Sequence, residues 1–256
     1  MTRVSSDMND DASTSTSRPD ASGRDRALSA EIIARQALVL ADERGLEKLT
    51  VRSLASELGI GTMTFYGYYR SKEEILDAMA DQALGSLALP SSEPDESPRQ
   101  AIENVATAFR ELMIEHPSIA QILSSRVTDS PQARRGAMEV VIDRLIRSGI
   151  PGPLAVKSYG FLMVHALGFA SYQTPRPWGR GETDGGTDES ELRRQQWHFY
   201  ASLPLPEFPR LVELRDELIE LPGEEQFRFG VECLCRTVED LVAAGLPDGR
   251  ADQEAP

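Results

Sequence analysis

Between Leu28 and Leu87, Ser29, Thr50 and Ser71 stand where helix N-caps belong, and Gly45 and Gly59 stand where helices end. These five residues cut the segment into helices too short to be stable alone, so they must fold against one another. The first is LSAEIIARQALVLADERG, with Leu28 and Ile33 placed as a hydrophobic staple and Ile33, Ala37, Leu40 and Ala41 on one face. The second, VRSLASELG, follows Thr50 and offers Leu54, Ala55 and Leu58 to the same core. Gly59-Ile60-Gly61 leaves room only for a tight turn before the third. That succession is the organisation of a helix-turn-helix unit, whose last helix enters the major groove of DNA.

The third helix packs Phe65, Tyr66, Tyr68 and Tyr69 around Gly67. On a helical wheel Phe65 and Tyr69 share the side that faces the first two helices, whereas Met63, Thr64 and Gly67 face away and Tyr66 and Tyr68 flank them. The outward set suits a groove. Met63 and Thr64 offer apolar contact to thymine methyls or a hydroxyl hydrogen bond, and Gly67 lets the backbone approach base edges. Tyr66 and Tyr68 are placed to donate phenolic hydrogens to phosphates. Ser71 then caps a fourth helix, with Glu73 and Glu74 in its first turn.

The net charge of −14 argues against a nucleic-acid partner only until it is divided. Residues 24–89 carry eight basic and ten acidic side chains, and the remaining −12 lies elsewhere. Whole-chain charge therefore says little about one local patch. Cys233 and Cys235, two apart on a helix, point in different directions and suit neither a disulfide nor a shared metal, as expected for a cytoplasmic protein. The run from Ser158 to Pro175 is uncharged, but His165, Gln173, two serines and two tyrosines make it a buried helix rather than a membrane span.

The stretch from Leu28 to Leu84 resembles the TetR family of bacterial transcriptional repressors. The Leu-Thr entry, the Leu-Ala-x-x-Leu-Gly second helix, the Thr-x-Tyr recognition helix and the Lys-x-x-x-Leu fourth helix carry the resemblance. EEQFRFGVECLCRTVEDLVAAG, residues 224 to 245, is similar to the C-terminal domain of the tetracycline-repressor subgroup. The resemblance implies DNA contacts from Thr50 and Arg52, from Thr62, Met63, Thr64, Tyr66 and Tyr68, and from Lys72, with Gly67 between them. The family often has a bulky residue where Gly67 stands and histidine where Tyr68 stands.

The expected fold is all-α: an N-terminal three-helix helix-turn-helix domain over residues 27–72, and a C-terminal helical ligand-binding and dimerisation domain over residues 73–246. Disordered tails are expected over 1–26 and 247–256. PSSEPDESP reads as a linker, and residues 174–190 as a mobile loop. Further helices are expected over Arg99–Glu115, Ile119–Ser125, Gln132–Ser148, Leu154–Gln173, Glu191–Ser202, Arg210–Glu220 and Glu224–Ala244. Phe109, Met113, Phe161, His165, Tyr172 and Trp197 are the candidate walls of a pocket for a small apolar or aromatic effector, although a lone histidine among apolar neighbours also suits a hydrogen-bonded core role. The aromatic group around Tyr200 and Trp178 adds to that set. Gly160 and Gly168 share one helix face and would admit a partner helix, so a homodimer is expected through Leu154–Gln173 and Glu224–Ala244.

Three scattered histidines, no nucleophile motif, no phosphate loop and no metal-spaced Cys/His pair give no catalytic residues, metal site or cofactor to name. The partners implied are double-stranded operator DNA, a small-molecule effector and a second copy, with no membrane. The competing class is an all-helical binding protein or enzyme that makes no use of the N-terminal module.

Overall fold

The structure is a computed structural model that describes residues 28–91, 94–125, 134–173 and 189–245. Among the described residues there are helices and no strand. The N-terminal elements are α1 (Ala30–Arg44), α2 (Val51–Glu57), α3 (Thr62–Tyr66) and α4 (Lys72–Gly85). Each cap expected from sequence closes its helix. Ser29 accepts from Ile32 N, Thr50 and Ser53 form a reciprocal capping box, and Ser71 accepts from Glu74 N. Gly45 and Gly59 end their helices at φ +89° and +66°, the left-handed region that penalises a side chain.

A linker leads to α5 (Pro98–Glu115) and α6 (Pro117–Ser125). A π-helical segment, Arg134–Glu139, then runs into α7 (Val140–Arg147). Next come α8 (Gly152–Gln173), α9 (Glu189–Ala201), α10 (Pro209–Glu213), α11 (Arg215–Leu218) and α12 (Glu224–Ala243). The helix expected over Arg210–Glu220 is broken at Leu214, whose backbone at φ −99°, ψ 21° is not helical. Arg215 donates to Val212 O there, and its guanidinium lies 5.1 Å from the Trp197 ring centroid. Glu189 and Ser190, expected in the loop, begin α9, while 174–188 with Trp178, both tails and Gln132 lie outside the described residues.

Two apolar cores meet. The first joins α1 to α4 through Ile33, Leu54, Phe65, Ile75 and Met79, and it also takes Ile119 and Ile122 from α6. The second joins α5, α7, α8 and α12 through Phe109, Val141, Leu162 and Phe227. α6 packs into both, since its Ala120 lies in the second core. The linker is pinned, because the buried Arg144 donates to Glu96 and, at 2.5 Å, to Pro90 O. A buried guanidinium of this kind tolerates no loss of its carboxylate.

α8 is long and apolar enough to cross a bilayer by length and composition. One side of it, Ala155, Leu162 and Ala166, is buried in the second core. The other side is bare, with Val164 68% exposed, and on α12 Phe229 is also 68% exposed. Cys235 is buried and Cys233 exposed, both as free thiols. Burial pushes the Cys235 thiol up to about 11.

Candidate nucleic-acid interface and effector cleft

α3 is short, and its orientation rests on two aromatic anchors. Phe65 is fully buried, with Tyr69 tilted against it at 6.0 Å between ring centroids. Tyr69 also donates to Ala30 O at 2.7 Å, and burial, helped by Glu31 and Asp81, pushes its phenol up to about 12. Every other residue from Gly61 to Arg70 is exposed, so the wheel's division holds position by position. Met63, 82% exposed, is the most prominent apolar side chain of the surface and has no core to fill.

Thr50, Arg52, Thr62, Met63, Thr64, Tyr66 and Gly67 are exposed together along α2 and α3, and Lys72 stands half-buried in the first turn of α4. Arg52 and Lys72 form no ion pair among the described residues, whereas Arg44 nearby is paired with Glu57 at 3.1 Å. Unspent cations beside a recognition helix are what phosphate contact requires. Gly67 has φ −70°, so its backbone does not demand glycine, and a Cβ there would meet Thr64 O at 3.2 Å. Tyr68 differs from the sequence expectation. Its hydroxyl donates to Leu28 O at 3.0 Å, which uses its one proton to tie the start of α1 to the end of α3.

The six candidate pocket residues divide. Phe161, His165 and Tyr172 come together in a cleft of about 840 Å³ between the bare side of α8, Tyr200 on α9, and the chain from Leu218 through Gln226. Phe109 and Met113 lie in the core behind it, Phe109 edge-on to Tyr159 at 6.0 Å. Trp197 supports a wall rather than lining it, since Nε1 donates to Asp216 at 2.8 Å and fastens α9 to α11. Leu218, Leu221 and Pro222 were not legible as lining, because they follow the unforeseen break at Leu214. Within the cleft His165 is both things the sequence allowed. Nε2 donates to Phe227 O at 3.0 Å, and the ring also lines the open space.

A second polar cluster joins the two cores. Asp42 on α1 accepts from His116 Nδ1 at 2.8 Å, from Ser118 N at 3.0 Å and from Ser118 Oγ at 2.5 Å. It therefore caps α6 from outside its own unit, and a small cleft of about 380 Å³ opens beside it. The described residues contain no group of His, Cys, Asp and Glu side chains able to hold a metal ion.

The sequence matches the family model of bacterial regulatory proteins of the tetR family over residues 33–79, and that of the tetracyclin repressor-like C-terminal domain over residues 89–241. It is 30% identical over 228 residues to the HTH-type transcriptional repressor DrrR1 of Streptomyces coeruleorubidus, covering 89% of this chain and 83% of that one. It is 27% identical over 245 residues to the HTH-type transcriptional repressor Rv1353c of Mycobacterium tuberculosis, covering 90% and 91%. Among solved structures, the TetR family protein ActR of Streptomyces coelicolor in complex with (S)-DNPA superposes with a TM-score of 0.68 at 25% identity, over 86% of this chain and 99% of that one. ActR in complex with actinorhodin gives 0.65 at 26% identity over the same shares. With both halves of the family's architecture matched in order, the chain belongs to the TetR family of transcriptional regulators.

Proposed function

We propose that the protein is a homodimeric repressor that leaves a palindromic operator when a small apolar or aromatic effector occupies the α8–α12 cleft. The observation that carries the reading is the outward face of α2 and α3, where Arg52, Thr62, Met63, Thr64 and Tyr66 stand exposed over an anchored core. Residues 27–72 read DNA in this account, and residues 73–246 bind effector and partner. Thr50 and Lys72 bracket the recognition helix as phosphate contacts, and Gly67 keeps its centre flat against the groove.

The homodimer is supported by the bare stripe of α8, where Val156, Phe161, Val164 and Tyr172 are exposed, and by the exposed Phe229 on α12. Gly160 and Gly168 line the cleft as well as that stripe. An occupant of the cleft would therefore press on the packing of the second copy and so on the spacing of the two recognition helices. ActR, seen with two different ligands in the structures above, supports small-molecule control. An enzymatic reading finds no observation in its favour.

The test is fluorescence anisotropy with the duplex upstream of the protein's own gene, at stated salt, during titration of a cleft-binding aromatic. A preference of about 3 kcal/mol for the DNA-free geometry weakens operator affinity on the order of a hundredfold, and linkage requires the operator to weaken ligand binding equally. Equal ligand affinity with and without operator contradicts control by that molecule.

A further inference from the structure

We infer that His165 reads a hydrogen-bond donor on the effector, so that the cleft takes a planar aromatic molecule bearing a hydroxyl that donates to Nδ1. The inference rests on the reading of the cleft as the effector site. A carbonyl oxygen only accepts, so the contact with Phe227 O fixes the proton on Nε2. In the neutral ring Nδ1 then carries a lone pair, and no hydrogen bond reaches it among the described residues. A histidine with a purely structural duty needs one nitrogen; this one keeps the other in reserve.

The ring cannot turn to exchange its two nitrogens. Phe161 lies nearly parallel to it at 5.2 Å and 19°, and Phe227 at 4.9 Å and 22°. Phe169 meets it edge-on at 4.9 Å. The ring leans into a notch left by Gly230, where a Cβ would stand 2.4 Å from Cε1, 2.6 Å from Nε2 and 3.3 Å from Nδ1. Phe161, Phe169, Tyr172 and Tyr200 also line the cleft, and aromatic walls of this kind favour a flat aromatic guest. Val164, Leu218 and Leu221 supply no counter-charge, so the matching donor is a neutral hydroxyl rather than an ammonium.

The experiment titrates the full chain with 2-naphthol and with 2-methoxynaphthalene, which share the ring system and differ in the donor. Wild type should bind 2-naphthol about tenfold more tightly, the size of one buried hydrogen bond. His165→Phe, which keeps a flat ring and removes the acceptor, should abolish that preference, so that the two compounds bind alike. Should His165→Phe fail to fold, 15N-histidine spectra of wild type decide: 2-naphthol must shift the His165 Nδ1 resonance and 2-methoxynaphthalene must not. Equal affinity for the two compounds, or a preference that survives in His165→Phe, overturns the inference. Binding of neither overturns both the inference and the cleft reading. A His165-dependent preference without any effect on operator affinity upholds the inference and removes only the control of DNA.

Discussion

Tyr66 and Tyr68 flank the same exposed face and differ in one hydrogen bond. Tyr66 is 48% exposed and its hydroxyl has no partner among the described residues, whereas Tyr68 spends its proton on Leu28 O. Tyr66→Phe should therefore weaken operator binding by about 1 kcal/mol and leave the melting curve unchanged. Tyr68→Phe should lower stability by a similar amount, through release of the start of α1. Arg52→Ala should cost operator affinity up to about 3 kcal/mol, as a charged donor does, and reduce the salt dependence of binding. Anisotropy at two salt concentrations, with a denaturant melt of each variant, separates the three outcomes. An Arg52→Ala protein that binds like the parent would show the groove face to be misplaced.

Among the elements, α6 packs into both cores, and Asp42 is its clasp. Asp42→Ala strips the cap from α6 and strands the His116 and Ser118 donors, for an expected loss of about 1–3 kcal/mol in denaturant unfolding. Asp42→Asn, which keeps an acceptor for Ser118 N, should recover part of it. A second clasp joins α5 to α12, where Arg99 bonds Glu239 at 2.8 Å and Glu232 at 2.5 Å. Arg99 holds both carboxyls below their ordinary value of 4.5, with Arg236 assisting at Glu232. Their contribution is present above that value and is lost as pH falls through the lowered ones. Stability measured from pH 5 down to 3 should drop in wild type, and Arg99→Ala should flatten part of the slope.

Caps and glycines made the helices of the N-terminal unit readable from sequence, because each signal acts on its own neighbours. Ser29, Thr50, Ser71, Gly45 and Gly59 all do in the fold what their local chemistry requires. The Asp42 clasp was not readable, since it joins residues 74 and 76 apart in sequence. The break at Leu214 was also hidden in an amphipathic run, and with it went Leu218, Leu221 and Pro222 of the cleft's wall. Tyr68 was legible as exposed but not as occupied, because its partner is a backbone carbonyl 40 residues away.

At the scale of the molecule, most of the net acidic charge lies outside residues 24–89, and α8 and α12 carry exposed apolar side chains in Val156, Val164 and Phe229. These two asymmetries fit a protein that holds DNA at one end and its own copy at the other. Sedimentation at micromolar concentration should give a dimer, and Gly160→Leu should shift it toward monomer; a wild-type monomer would contradict the interface. The most direct test of the whole account is selection of bound duplexes from a random library by the full chain, at about 0.15 M salt, followed by sequencing. A dimer presenting two α3 helices should enrich one palindrome whose half-site centres lie about one helical turn apart or slightly more. The Arg52→Ala, Tyr66→Phe double variant should enrich it weakly or not at all. No enriched site with wild type, or the same site recovered equally well by the double variant, would contradict the account.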